Sequence, residues 1–255
     1  MKSYNAMQLA LTVAAAGWLT TGAADTVKTS FGNGADVEIR EHSNNSANGA
    51  SMNTRTSSAG DRSELIGLRF DLTGYTLANM ANVSLNLTSF RNDTSTRIVN
   101  LYGVTPGATA AEGSFTTETW TETGLTTFGA MPGLLATDGN FLTQSLDPAK
   151  TTLLGTITVA NASEGATQTF SDPALTAFIQ AISGSQNVTF LLAAGNNSTG
   201  QFRVGSKEAT QLTTAGLFTG PAGTFAPSLT FVVPEPSTIA FFTLGGLLLL
   251  LRRRS

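Results

Sequence analysis

Acidic side chains gather around Trp120, near the middle of the chain. Two carboxylates that face each other across a cleft suffice for glycoside hydrolysis, one as acid and the other as base or nucleophile. The acids of this region are Glu112, Glu118, Glu122 and Asp138. Because spacing in a loop does not show whether two of them face each other, we interpret them as solvated surface charge. A polysaccharide-active enzyme that uses carboxylates near Trp120 is the alternative.

Other residue types for catalysis are scarce. His42 is the single histidine, and its surroundings match no Ser-His-Asp motif. The chain has no cysteine, which excludes a thiolate nucleophile, a zinc–thiolate site and a disulfide. We therefore predict a protein that is not an enzyme and has no catalytic residue.

Four residues are candidates for contacting a ligand. Trp120 offers a flat aromatic face for a sugar ring, although packing in the core is the favoured interpretation. Arginines form bidentate contacts with carboxylates, so they suit an acidic polysaccharide. The candidate ligand-binding residues are Arg62, Arg69, Arg97 and Trp120.

Two turn segments are rich in oxygen ligands for a hard cation. Residues 32–36 read Gly-Asn-Gly-Ala-Asp, and Asn92 is followed by Asp93. Cation sites in sandwich proteins are often built from such loops, but neither segment has the spacing of an EF-hand. Turn formation alone explains both, so we predict no cofactor and no metal site, with structural calcium as the alternative.

The charge of the chain argues against a nucleic-acid partner. Its formal net charge is −3, from 14 basic and 17 acidic residues. Four of the basic residues lie in terminal segments that look removable, and without them 10 basic residues face 17 acidic ones, a net charge of −7. A domain this acidic is poorly suited to neutralising phosphates.

Alternation of apolar and polar residues dominates the central region. In residues 66–72, four large apolar side chains alternate with Gly67, Arg69 and Asp71, which predicts a strand with one buried face. Gly, Asn, Pro and Ser turns separate such segments. The same pattern predicts half-buried strands at residues 83–87, 153–159, 188–192 and 229–233.

One segment has helical spacing instead. In residues 175–182, apolar side chains recur at i, i+3, i+4 and i+7. Asp172 can cap this helix, Pro173 suits its first position, and Gly184 would end it. A single short helix leaves the fold class all-β.

The N-terminus has the organisation of a secretory signal peptide. Lys2 precedes an apolar run at residues 6–19, and the small residues Gly22, Ala23 and Ala24 follow. We predict a signal peptide at residues 1–24 that is cleaved after Ala24, and hence an exported protein.

The C-terminus combines an extended motif, a short apolar run at residues 239–251 and a basic cluster. The motif is Val233-Pro234-Glu235-Pro236, and the cluster is Arg252, Arg253 and Arg254. A helix over the apolar run spans about 20 Å, less than the ~30 Å hydrocarbon core, so it is a marginal membrane span. The arginines should stay cytoplasmic, which leaves the preceding domain outside.

This order of Pro-Glu-Pro motif, apolar helix and arginine cluster resembles the sorting signal of the PEP-CTERM class of exported bacterial proteins. The resemblance implies an exosortase-type enzyme as a partner that removes the tail. It also implies transient attachment to the inner membrane and a final place at the cell surface or in the exopolysaccharide matrix of a biofilm.

Several short segments between the termini resemble the DNRLRE-domain family, whose members are jelly-roll domains similar to carbohydrate-binding modules. The matching segments are residues 68–72, residues 99–104, Trp120-Thr121-Glu122, Thr127-Phe128 with Pro132, and Ser206-Lys207-Glu208. Phe128 stands where the family pattern has tryptophan, and Lys207 where it has arginine. The resemblance implies a jelly-roll fold.

Together these observations predict an all-β protein. Residues 25–232 are expected to form a jelly-roll-like antiparallel β-sandwich with one short helix, flanked by an N-terminal signal peptide and by a C-terminal sorting segment at residues 233–255 that contains the hydrophobic helix. We expect it to lie at the cell surface or in the extracellular matrix and to bind polysaccharide there. The alternatives are the enzyme described above and a purely structural matrix component.

Overall fold

A computed structural model describes residues 22–40, 49–55, 64–91, 95–135, 146–160, 162–195, 201–212 and 218–234. The chain from Ala23 to Val233 forms one compact unit. Antiparallel strands dominate it and form two main sheets that share a core, so the predicted all-β sandwich is confirmed.

Two antiparallel sheets build the sandwich. The four-stranded sheet has the order β1-β13-β5-β8, with β1 Ala24–Lys28, β5 Ala81–Thr88, β8 Thr167–Phe170 and β13 Ser228–Val232. The five-stranded sheet has the order β2-β4-β9-β6-β7, with β2 Ala35–Arg40, β4 Glu64–Asp71, β6 Arg97–Val104, β7 Thr151–Val159 and β9 Asn187–Ala194. Two smaller ribbons pair β3 Ser51–Thr54 with β10 Phe202–Gly205, and β11 Gln211–Leu212 with β12 Phe218–Thr219.

Large apolar side chains from both sheets fill the space between them. Phe70 of β4 and Phe190 of β9 meet edge to face, with ring centroids 6.0 Å apart. Leu85 of β5 and Phe231 of β13 enter the same core from the other sheet, and all four are buried. β5 and β13 bury alternate residues, which confirms their predicted half-buried character.

Three strands of the five-stranded sheet, β2, β4 and β9, are buried on both faces over most of their length, which the sequence pattern did not predict. All eight residues of β4 are buried, including the Arg69 and Asp71 side chains expected to face solvent. A second core covers this outer face. About half of its buried apolar residues belong to residues 105–135, here called the covering segment, which includes the short 3-10 helix Phe128–Ala130. The half-buried prediction for β4 and β9 was therefore wrong, because a loop covers the polar face.

The helix lies where the apolar spacing placed it. α1 spans Pro173–Ala181, with Asp172 accepting a capping hydrogen bond from the Ala174 N–H at 2.8 Å. Leu175 and Ile179 are buried in the core between the sheets. A further 3-10 helix, Leu77–Asn79, precedes β5.

The predicted signal peptide before Gly22 and the predicted sorting helix lie outside the described residues. In the described ranges no helix has the length and apolar character needed to cross a membrane.

We expect Leu85→Ala to lower the free energy of unfolding by about 2–5 kcal/mol, because it leaves a cavity in the shared core. Leu153, which is 52% exposed on β7, supplies the matched control, and Leu153→Ala should change stability by about 0.5 kcal/mol or less. Urea denaturation of the full chain measures both. Equal losses for the two variants, or separate transitions for the two sheets, would contradict a single core.

Candidate functional site

Arg69 ties two loops to the outer face of β4. Its Nε and Nη2 donate to the Asn33 carbonyl at 2.9 and 2.6 Å. Its Nη1 donates to the Trp120 carbonyl and, at 3.2 Å, to the Glu118 carbonyl. Burial lowers the pKa of Arg69 below its ordinary value, yet a guanidinium stays charged at neutral pH. The side chain therefore links the β1–β2 connection and the covering segment to the sheet.

Trp120 packs in the second core and has no exposed surface. Its Nε1–H donates to Thr189 Oγ1 at 2.9 Å, and that hydroxyl donates to the Thr117 carbonyl at 2.6 Å. The Arg69 guanidinium carbon lies 5.1 Å from the indole centroid, within cation–π distance. Trp120 and Arg69 thus belong to one buried assembly, and neither presents a face to a polysaccharide in this structure.

Other residues singled out from the sequence lie apart from this assembly. Arg97 begins β6, and its Nη1 donates to the Thr96 carbonyl at 3.0 Å. Ala24, the predicted signal-cleavage residue, begins β1, and Val233 and Pro234 directly follow β13. The singled-out residues that lie outside the described ranges are His42, Arg62, Asn92, Asp93, Asp138, Glu235, Pro236, Arg252, Arg253 and Arg254.

The acidic residues of the covering segment have separate partners. Glu112 accepts a hydrogen bond from the Thr127 hydroxyl at 2.6 Å. Glu118 accepts one from the Gly107 N–H at 2.7 Å. Glu122 instead meets two acids from other parts of the chain.

The connection between β1 and β2, here called turn 29–34, is fixed by β4. Gly32 has φ of +55°, and a Cβ there would lie 2.3 Å from Asp71 Oδ2, so the position requires glycine. The Asn33 N–H donates to the same Asp71 oxygen at 2.8 Å, while the Asn33 carbonyl accepts from Arg69. Two buried side chains of β4 therefore set the position of the turn.

Three carboxylates from distant parts of the chain meet beside this turn. Asp36 is the second residue of β2, Glu122 belongs to the covering segment, and Glu208 follows β10. One carboxylate oxygen of each lies within 4.8 Å of the others. Glu122 Oε1 also accepts a hydrogen bond from the Asp36 N–H at 2.8 Å, which joins the covering segment to β2. These three residues are called the carboxylate cluster.

Asp36 is the most buried member of the carboxylate cluster, with only 1% of its surface exposed. Its Oδ2 accepts hydrogen bonds from the Thr29 hydroxyl at 2.6 Å and from the Lys207 N–H at 3.0 Å. Burial raises the pKa of the Asp36 carboxyl to about 7, the Thr29 bond opposes this, and the charges of Glu208 and Glu122 add to it. Asp36 is therefore partly protonated near neutral pH unless a further positive charge is present.

Lys207 brings one positive charge to the carboxylate cluster. Its Nζ lies 2.6 Å from Glu122 Oε1 and 3.3 Å from the Gly34 carbonyl oxygen. The Ser206 hydroxyl accepts from the Glu208 N–H at 3.2 Å, which stabilises the turn that carries both residues. Two segments marked in the sequence, Trp-Thr-Glu and Ser-Lys-Glu, therefore meet at the carboxylate cluster.

Sequence reasoning did not single out Asp36 or Glu208 as members of a joint site. Asp36 lies in the oxygen-rich turn and Glu208 in the Ser-Lys-Glu segment, so each carried a weak signal. However, 86 residues separate Asp36 from Glu122, and 171 separate it from Lys207. Spacing along the chain gives no indication that such distant residues meet.

A cleft of about 440 Å³ lies beside β1 and the same turn. Its lining residues are Thr26, Val27, Lys28, Ser30, Phe31 and Tyr75. This surface is called the Phe31 cleft, because the Phe31 side chain is 54% exposed in it. Exposure of a large aromatic ring to water is unfavourable in free energy, and such a ring is a typical contact surface for a ligand.

Polar groups surround the exposed ring of the Phe31 cleft. Tyr75 packs edge to face on Phe231 of the core at 4.9 Å, which fixes its ring. Burial and then the neighbouring Asp25 raise the pKa of Tyr75, so its hydroxyl stays protonated at neutral pH. Lys28 Nζ donates to the Gly223 carbonyl at 2.9 Å. The cleft therefore combines an aromatic face with hydroxyl and ammonium donors.

Comparison with known proteins indicates no function, so a function must be argued from the geometry. No family model matches the sequence, and no curated protein matches it.

Proposed function

We propose that this is an exported, non-catalytic protein of the bacterial cell surface or extracellular matrix whose jelly-roll-like sandwich binds an acidic polysaccharide in the Phe31 cleft. In this account an exosortase processes the C-terminal tail, and the protein then stays at the cell surface or in the matrix. The observation that carries the binding part is the exposed Phe31 ring in a cleft lined by polar groups.

The chemistry of the Phe31 cleft suits a sugar chain. A pyranose ring has an apolar C–H face that packs on an aromatic ring, and hydroxyls around its edge that need hydrogen-bond partners. Thr26, Ser30 and Tyr75 supply hydroxyl groups around Phe31. Lys28 supplies an ammonium group for a uronic-acid carboxylate.

This cleft replaces the arginine surface expected from the sequence as the proposed binding site. Arg69 is buried with its donors on loop carbonyls, and Trp120 is enclosed in the second core. Phe31 and Lys28 supply the aromatic and cationic contacts that those residues were expected to make.

The contacts of the acids near Trp120 favour a non-catalytic protein over the enzyme alternative. Glu112 and Glu118 accept hydrogen bonds from different neighbours, and Glu122 is ion-paired with Lys207. Glycoside hydrolysis requires two acids that a polymer reaches at once. Two acids meet Glu122: Asp36 is buried, so a polymer does not reach it, and Glu208 has its Oε2 shielded from solvent.

The strand order agrees with removal of both terminal segments. Ala24 of β1 pairs with Val232 of β13 in the four-stranded sheet. Cleavage after Ala24 leaves Asp25 to Lys28 paired with β13, and cleavage beyond Val233 leaves β13 complete. Processing at both ends would therefore preserve the sandwich.

We expect Phe31→Ala to weaken binding to a uronic-acid polymer such as alginate by about tenfold, because it removes the stacking surface. Affinity gel electrophoresis of the full chain at low salt measures the loss, with dextran as the neutral polymer. Leu153→Ala, which removes a similarly exposed apolar side chain from β7, is the matched control and should bind as the unaltered protein does.

Two outcomes would favour the alternatives. If no polymer retards the unaltered protein, the domain is a purely structural matrix component. If the polymer is shortened and new reducing ends appear, the protein is an enzyme.

We expect Glu235→Ala to impair tail removal while sparing membrane insertion. Pro234 and Pro236 keep the backbone around Glu235 extended, the form a peptidase binds, whereas insertion depends on the apolar run. Mass spectrometry of the surface protein, from hosts with and without an exosortase, reports whether the arginine cluster is retained. Ser237→Ala is the control and should be processed normally. An unprocessed mass in both hosts would identify the tail as a plain anchor.

A further inference from the structure

The carboxylate cluster contains buried oxygens that have no hydrogen-bond partner. Asp36 Oδ1 and Glu208 Oε2 are both shielded from solvent, and neither has a partner among the described residues. Asp36 as a whole is 1% exposed. An unpartnered carboxylate oxygen at such depth costs free energy, and buried polar groups without a protein partner often bind a water molecule or an ion.

The charges around these oxygens do not balance. Asp36, Glu122 and Glu208 would carry three negative charges when ionised, and one oxygen of each lies within 4.8 Å of the others. Lys207 supplies one positive charge, through its bond to Glu122, and the Arg69 guanidinium, which also attracts Glu122, is offset by the neighbouring Asp71. The excess of two negative charges in a largely buried site matches the charge of one divalent cation.

We propose that Asp36, Glu122 and Glu208 bind a calcium ion. The donors are all carboxylate oxygens, which hard cations prefer and which soft or nitrogen-seeking transition metals do not. Calcium accepts more ligands and a less regular geometry than magnesium, so it suits three carboxylates supplied by three separate segments of the chain, with water completing its shell. This proposal is independent of polysaccharide binding.

Lys207 is the competitor for this ion. Its ammonium group lies 2.6 Å from Glu122 Oε1, and its side chain is 23% exposed. A lysine at such a position can turn its charged end toward solvent while its aliphatic part stays packed. Calcium entry would then displace the ammonium from Glu122, and removal of the ammonium should favour the ion.

The ion would act as a cross-link in a chain without disulfides. Asp36 follows turn 29–34, Glu122 belongs to the covering segment, and Glu208 lies beyond β10. A calcium ion held by all three would join segments that are far apart in sequence. Because the ion would bind the folded protein and not the unfolded chain, it would stabilise the fold. The role is structural.

The test is thermal unfolding and isothermal titration calorimetry of the full chain after EDTA treatment and dialysis. Millimolar calcium chloride should raise the melting temperature by about 5 °C, and magnesium chloride should have a smaller effect. Glu208→Gln should weaken calcium affinity by about tenfold or more and remove most of this shift. Glu112→Gln, which neutralises an exposed acid of the covering segment, is the matched control and should keep it.

The variant Lys207→Met distinguishes a calcium site from a simple ion pair between Lys207 and Glu122. If the cluster binds calcium, this variant should bind it several-fold more tightly, because a competing positive charge is gone. If calcium fails to shift the melting temperature of both the unaltered protein and Lys207→Met, the proposal is overturned. An equal shift in Glu208→Gln and Glu112→Gln would also overturn it, because the ion would then bind elsewhere.

Discussion

The surroundings of both candidate sites, the Phe31 cleft and the carboxylate cluster, depend on the hydrogen bonds of the buried Arg69 guanidinium. It lies on β4, between β2 and β9 in the five-stranded sheet, and donates to carbonyls of turn 29–34 and of the covering segment. A buried charge is tolerated only when its donors are satisfied, so the two loops are held where their carbonyls meet it. The positions of Phe31 and Glu122 follow from this requirement, because each lies in one of those loops.

The covering segment shows how a largely irregular stretch is held on a sheet. Its apolar side chains, with Trp120 the largest, form the second core on the outer face of the five-stranded sheet. The Trp120 indole N–H donates to the Thr189 hydroxyl, and that hydroxyl donates to the Thr117 carbonyl of the same segment. Apolar burial therefore supplies the attachment, while Arg69 and Thr189 determine the register of the segment on the sheet.

Local patterns predicted the parts of the fold that depend on local residues. The alternation in β5 and β13 and the i, i+3, i+4, i+7 spacing of α1 are properties of neighbouring residues, and the structure confirms them. The outer face of β4 could not be predicted in this way. Arg69 and Asp71 have the polar character of solvent-facing residues, and only the covering segment makes them buried.

The candidate sites were harder to predict for the same reason. Glu122 was considered as an acid near Trp120, and residues 32–36 were considered as an oxygen-rich turn, but their meeting depends on sheet order and loop docking. The sequence did not single out Phe31, because the residue type does not show whether a phenylalanine ring is exposed or buried. Long-range packing decides which of these side chains face one another.

The central claim is that Arg69 links both loops to β4, with Asp71 as a second contact for turn 29–34, and amide hydrogen exchange of Arg69→Lys in the full chain tests it directly. Lysine keeps the charge but lacks the planar fork of five donors by which the guanidinium reaches carbonyls in both loops. We predict faster exchange in turn 29–34 and in the Thr117–Leu125 part of the covering segment, with β5 and β13 still protected and with Arg97→Lys unchanged throughout. Unchanged exchange in both loops, or faster exchange in only one of them, would show that the loops are held independently and would contradict the claim.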